Sequence, residues 1–224
     1  MINNYNYQSK ANIQCLTGDV EYRDRQKGFL EIVSMFEKEN IRWGLACSMN
    51  LFIRGIVDEF HDVDLLVESQ DIPKIRKIME KIEGVLVATG GNGYCESNEY
   101  MNFQLGRIDV DIISGFRIVT FGTQFLYEFS SDEIENTKIG SFNVPLISME
   151  ALYILYSMME GWQPKRRYKR RLIEEYLLQE ELVFPHILEK AIRDESLPAW
   201  IRENIEGILS SKKSWIWLEK QKRN

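Results

Sequence analysis

Asp62 and Asp64 stand one residue apart at the head of an apolar run, D-V-D-L-L-V, and the same arrangement returns downstream as I-D-V-D-I-I, with Asp109 and Asp111. Side chains alternate along a strand, so the members of each pair share one face while Val63 and Leu65 point to the other. If the two strands are neighbours, three or four carboxylates converge. Left uncompensated, such a group is costly in like-charge repulsion and desolvation. Divalent cations are the natural compensation. An all-oxygen set suits Mg2+ or Mn2+, which complete an octahedron with phosphate oxygens and water.

Upstream, Cys47 and Ser48 lie between an apolar stretch at 41–46 and a short helical stretch at 48–55, with Ser48 the expected N-cap and Gly55 the expected stop. Free backbone amides and a hydroxyl at the start of a helix form an anion-binding geometry. A strand, a small-residue turn, a helix, D-x-D on the next strand and a further Asp on a third together suit phosphoryl or nucleotidyl transfer. In that chemistry two metals clamp the attacking and leaving oxygens.

The elements that must position these groups follow from periodicity. Phe29, Ile32, Val33 and Phe36 recur at helical spacing within 23–40. Strands are expected at 41–46 and 62–68. An amphipathic helix then starts at Asp71 and Pro73, carries Ile72, Ile75, Ile78, Met79 and Ile82, and ends near Gly84. Residues 85–89 suggest a strand and G-G-N-G-Y-C-E-S-N, 90–98, a turn or loop. Strands at 101–105 and 107–113 are joined by a tight turn at Gly106, and 138–145 reads as one more strand at the sheet edge. From Ser148, an expected N-cap, the texture is helical: one helix to Gly161, then three more, the last two begun by Pro185 and Pro198.

The expected fold class is α+β: a small mixed β-sheet core flanked by helices, followed by a C-terminal helical region. The boundaries read as an arm over 1–22, the core over 23–146 and the helical region over 147–224.

Composition narrows the function. Of 224 residues 44% are hydrophobic and 12% aromatic, enough for a packed core. The net charge of -6 argues against a general phosphate-binding surface, so any nucleic-acid site must be a local patch. The polar N-terminus has neither the basic nor the apolar region of a signal peptide, and no apolar run is long enough to span a bilayer, so no membrane role is expected. Three separated cysteines, Cys15, Cys47 and Cys95, fit reduced thiols in a cytoplasmic protein. His61 and His186, the only two histidines, exclude a histidine-rich zinc site.

The stretch W-G-L-A-C-S-M-N-L-F-I-R-G-I-V-D-E-F-H-D-V-D-L-L-V-E resembles the signature of the polymerase-β-type nucleotidyltransferase superfamily: an apolar strand, G-G or G-S, nine to thirteen residues, then D-x-D or D-x-E. Ser48 and Asp62 are separated by thirteen residues. L-F-I-R-G is similar to the small stand-alone members, antibiotic nucleotidyltransferases and bacterial defence toxins among them. V-D-I-I-S-G-F resembles the strand of the third carboxylate, and V-P-L-I-S-M-E-A-L-Y-I-L the edge strand and first helix of the appended helical region. The resemblance covers roughly residues 25 to 160.

It implies that Asp62, Asp64 and Asp111 hold Mg2+ or Mn2+. Asp111 would also be the general base, with Asp109 the competing candidate. It implies that Ser48, assisted by the amide of Cys47 or Met49, contacts the phosphates of a nucleoside triphosphate. The activity implied is transfer of a nucleoside monophosphate to a hydroxyl or phosphate of an acceptor: a small molecule, a tRNA or a protein. Two positions depart from the pattern. Cys47 stands where the pattern has Gly, and Tyr156 where many small relatives carry Lys, so Arg54 or a residue of the run 165–171 would supply the phosphate-binding cation. The alternative is a catalytically weak module of the same fold, or a toxin–antitoxin component, that binds RNA or a protein partner.

The run K-R-R-Y-K-R-R, Lys165 to Arg171, carries six positive charges around one tyrosine. It reads as a solvated helix face, with a landing site for triphosphate or RNA as the functional alternative. Trp215 and Trp217 near the C-terminus read as packing residues, with a homodimer contact as the runner-up.

Overall fold

The structure, a computed structural model, describes residues 20–90 and 95–222. Most of the arm expected over 1–22, the centre of the loop expected over 90–98, and the side chains of Trp215 and Trp217 lie outside the described residues.

The elements run α1 (Val20–Lys38), β1 (Trp43–Leu45), α2 (Cys47–Ile53), β2 (Val63–Val67), α3 (Ile72–Lys81), β3 (Val85–Thr89), β4 (Glu99–Leu105), β5 (Ile108–Ser114), β6 (Phe116–Thr120), β7 (Thr123–Tyr127), β8 (Ile134–Ile139), β9 (Phe142–Ile147), α4 (Met149–Met159), α5 (Arg166–Gln179), α6 (Pro185–Ala191) and α7 (Ala199–Lys222). The chain forms two compact units. The first takes the described residues up to 90 with Glu96–Phe116 and Glu128–Ile147. The second takes Cys95, Arg117–Tyr127 and the chain from Ser148 onward.

In the first unit seven strands form one mixed sheet in the order β3-β4-β5-β2-β1-β9-β8. The pairs β2–β5 and β1–β9 are parallel and the remaining neighbours antiparallel. Alternation explains the sheet's core face: Val63, Leu65 and Val67 on β2 and Val110 and Ile112 on β5 are buried in one cluster with Phe29, Ile32, Val33 and Phe36 of α1 and Ile72, Ile75, Ile78 and Met79 of α3. Each such side chain contributes about 1.5–3 kcal/mol of burial, so the apolar spacing of α1 and α3 fixes which of their faces is inward.

Three local outcomes differ from the sequence expectations. The stretch 138–145 is not one edge strand but parts of two, β8 and β9, paired antiparallel and turning at Gly140. The β6–β7 hairpin has no counterpart among the expected elements, because its turn, Phe121-Gly122, lacks the Asn or Asp that marks such turns. Ser48 lies inside the first turn of α2, whose N-cap position is Ala46. Gly55 does end α2 as expected: it takes a left-handed φ of 72°, Ile56 N–H reaches Leu51 O at 2.9 Å, and Gly55 N–H reaches Phe52 O at 2.9 Å.

The second unit is built on α4, whose eleven residues are almost without exposed surface, as befits a helix apolar nearly all round. Ser148 caps it, its Oγ accepting from Ala151 N–H at 3.2 Å. Helices α5 and α6 pack on α4, and α7 packs on α5 and α6. Glu150, within this core, accepts Phe184 N–H on Oε1 at 2.9 Å. None of the described helices is long and apolar enough to cross a membrane.

Candidate active site

The parallel register of β2 and β5 sets Asp64 opposite Asp111, with Val63 opposite Val110 and Leu65 opposite Ile112. One pairing therefore buries two valines, a leucine and an isoleucine on one face and places two carboxylates side by side on the other. Asp62, just ahead of β2, joins them by the same alternation. Ligand oxygens of Asp62, Asp64 and Asp111 lie within 4.8 Å of one another.

The turn into α2 is tied to this strand. Ala46 N–H donates to the backbone oxygen of Asp64 at 2.8 Å, and the buried Ser48 donates through Oγ to Oδ1 of Asp62 at 3.1 Å. Its hydroxyl proton is thus directed at a carboxylate. Cys47, between them, is buried and has a φ of 47°, in the left-handed region. That is the position where the sequence pattern has Gly, and the backbone keeps the conformation that Gly would take without strain. Asn50 anchors α2 from below: Nδ2 donates to Leu45 O at 2.7 Å and Ile147 O at 3.0 Å, and Oδ1 accepts from Arg54.

Arg54 goes elsewhere than the phosphate site expected for it. Its guanidinium, 9% exposed, pairs with both oxygens of Glu135 on β8 and donates through Nε to Asn50 at 2.8 Å. An Arg fork so engaged is a clamp between α2 and the sheet edge. Asp109 shares parity with Asp111 but is exposed and stands outside the carboxylate group. Tyr156 is fully buried in the second unit, where the Arg166 guanidinium lies 5.6 Å from its ring centre. The run 165–171 is not a uniformly solvated face, since Arg170 is buried and paired with Glu160 and Glu174.

Sequence reasoning missed Tyr100 and Asn102. On β4, next to β5, Asn102 Nδ2 donates to Oδ1 of Asp111 at 2.7 Å and Tyr100 Oη to the same oxygen at 3.0 Å. The available signal was the polar alternation Tyr100, Asn102, Gln104 beside the I-D-V-D strand. Burial raises the pKa of the Asp111 carboxyl above the ordinary aspartate value; the hydrogen bonds from Asn102 and Tyr100 act against this rise, and the charges of Asp62 and Asp109 add to it.

The donor set is three carboxylates with no nitrogen or sulfur, which fits a hard divalent cation of the Mg2+ or Mn2+ kind. Such an ion would relieve the repulsion the three impose on one another. With such an ion bound, an arrangement of this type could hold the phosphates of a nucleotide.

No protein-family model and no curated protein matches the chain. Solved structures do. A candidate nucleotidyltransferase from Thermotoga maritima aligns with 68% of this chain and 94% of its own at a TM-score of 0.53 and 18% identity. The antibiotic-resistance factor ANT(2'')-Ia aligns with 89% of this chain and 98% of its own at a TM-score of 0.54 and 13% identity. At that identity the likeness is one of fold: this chain has the nucleotidyltransferase fold.

Proposed function

We propose that this nucleotidyltransferase-fold chain moves a nucleoside monophosphate from a nucleoside triphosphate to a hydroxyl or phosphate of an acceptor, with Mg2+ or Mn2+ held by Asp62, Asp64 and Asp111. The observation that carries the reading is the convergence of those three carboxylates, within 4.8 Å, at the register of β2 and β5.

In this reaction an acceptor oxygen attacks the α-phosphorus in line, the bond from that phosphorus to the β-phosphate bridging oxygen breaks, and pyrophosphate leaves. Asp111 is the carboxylate we place to accept the acceptor proton. Tyr100 and Asn102 orient that carboxylate by holding one of its oxygens. Ser48 fixes Asp62, and the amides at the start of α2 lie beside it for phosphate contact. A bound divalent cation supplies positive charge against the charge that develops on the phosphoryl and leaving oxygens. A triphosphate co-substrate fits the cytoplasmic location expected from the sequence. The acceptors we propose are a small molecule, a tRNA or a protein; one solved structure of like fold is an antibiotic-resistance factor, which supports the first of these.

Calorimetric titration of each nucleoside triphosphate with Mg2+, on the wild type and on an Asp62→Asn, Asp64→Asn double variant, tests the reading. Metal-dependent binding by the wild type that vanishes in a folded variant supports it. Absence of binding by the folded wild type overturns it. A catalytically weak binding module then takes first place, a role consistent with the strained Cys47 turn.

A further inference from the structure

The second unit contains a cleft of about 570 Å³ that nucleotidyl transfer leaves without a role. The β6–β7 turn, the end of α4, the start of α5 and α7 wall it. Arg167, Arg170 and Arg171 line it together with one carboxylate, Glu160. The two oxygens of Glu160 accept from Nε of Arg167 and, at 2.8 Å, from Nε of Arg170, which also reaches Glu174. Burial opposes ionisation of Glu160, but these guanidiniums outweigh it and hold the carboxyl below its usual range. Glu160 is therefore charged and engaged. Arg171 is exposed and, among the described residues, has no ion pair or hydrogen bond. In a protein of net charge -6 this is a local positive site.

Arg167 and Arg171 lie one turn apart on α5, where like charges repel. The Arg167 side chain remains 59% exposed despite its contact with Glu160. An anion between the two guanidiniums removes the repulsion and meets the planar donors that suit phosphate.

The aromatic wall points the same way. Phe121 and Gly122 form the two-residue β6–β7 turn with φ of 52° and 73°, a left-handed pair at which Asn, Asp or Gly fits best and a bulky residue is an outlier. Phe121 is nonetheless 48% exposed, so burial does not explain it. It meets Trp200 edge to face at 5.8 Å. Gly161 admits it closely, since a Cβ there would come within 2.7 Å of the ring. The Trp200 face is covered by the Arg170 guanidinium, 5.7 Å from its centre. Phe121 is thus a half-exposed aromatic residue in the same cleft as Arg167 and Arg171.

We propose that this cleft binds single-stranded nucleic acid, with one backbone phosphate between Arg167 and Arg171 and the adjoining base stacked on Phe121. Base stacking beside a basic track is how sequence-tolerant single-strand sites work. Lys165 and the 68% exposed Tyr168 flank Arg167 in sequence outside the cleft lining, and in this proposal they are further contacts for a polymer that a free nucleotide would not reach. The inference stands on the second unit alone and is independent of nucleotidyl transfer.

The test is fluorescence anisotropy of short labelled single-stranded RNA and DNA, in EDTA so that the carboxylates hold no metal, with AMP as competitor. Wild-type protein is expected to bind RNA, DNA or both, and the two arms identify which. Arg171→Gln is expected to weaken binding about threefold to tenfold and to flatten the log–log salt dependence by about 0.7. Phe121→Asn suits the left-handed turn, so it is expected to keep or raise Tm while weakening binding about tenfold. Any one of three results overturns the proposal: no binding by the wild type, unchanged affinity in both folded variants, or AMP competing at the oligomers' own affinity.

Discussion

Asn102 and Asp111 are cross-strand partners on β4 and β5, and the 2.7 Å bond from Asn102 Nδ2 ends on Oδ1, the same oxygen that Tyr100 holds. The other oxygen of Asp111 is thereby left for a metal or a proton. Partners of this kind usually matter to metal affinity by 10- to 100-fold. Asn102→Ala is expected to weaken metal-dependent nucleotide binding about tenfold. Its pH midpoint should also move to higher pH, because the lost hydrogen bond had been lowering the Asp111 pKa. Calorimetry across pH checks both; an unmoved midpoint would show that Asn102 does not tune Asp111.

Asp111 also makes the metal-free protein pH-sensitive. Its folded pKa is raised above the ordinary value, first by burial. The folded state therefore holds this proton more tightly than the unfolded one. The resulting stability is present below the ordinary aspartate pKa and lost as pH rises through the folded value. In EDTA, Asp111→Asn is expected to remove that loss and raise Tm at neutral pH by about 2–4 °C, the effect of ~1 kcal/mol in a chain of this size. Mg2+ should raise the wild-type Tm and leave that of the variant nearly unchanged. Thermal scans with and without the ion decide it.

Arg54 is predicted to stabilise the fold without contacting nucleotide. Replacing it with Met leaves Glu135 unpaired and the Asn50 oxygen without its donor. The expected loss is about 2–3 kcal/mol, read by urea unfolding, with nucleotide affinity of the folded protein unchanged. A drop in affinity at intact stability would return Arg54 to the phosphate site.

Cys47 offers a backbone test. Cys47→Gly relieves left-handed strain of about 1–2 kcal/mol, which nearly offsets the lost buried side-chain surface and the freed unfolded chain, about 1 kcal/mol each. Its Tm is expected to stay near that of the wild type. Cys47→Val keeps the bulk and adds a β-branch in the same conformation, so it is expected to fall clearly below both. Equal Tm values for the two variants would mean that the turn relaxes.

What was legible in the chain was whatever a period of two or of 3.6 could carry. Alternation with Val63, Leu65, Val110 and Ile112 offered Asp62 and Asp64 on one strand and Asp109 and Asp111 on another without choosing between the last two, and the register of β2 and β5 brings Asp64 and Asp111 side by side. The faces of α1 and α3 were found the same way. The partners of these groups were not legible. Nothing local in the sequence tells that Arg54 meets Glu135, 81 residues away, or that the polar side of β4 is directed at Asp111 rather than at solvent. The β6–β7 hairpin was hidden because its turn carries Phe121 where the expected residue is Asn or Asp. The break at Gly140 was read through, since Lys138 to Pro145 is apolar and polar by turns on both sides of it.

The strand order has a consequence for synthesis. Asp62 and β2, with Asp64, are made before the parallel neighbour β5, which comes only after α3, β3 and β4, and β9, which pairs with the far side of β1, is made later still. Pairings between such distant segments close slowly, and a growing chain orders its earlier parts first. A nascent chain that has not yet reached β5 thus carries the D-x-D motif alone, and the three-carboxylate cluster comes into being only when most of the first unit has been made.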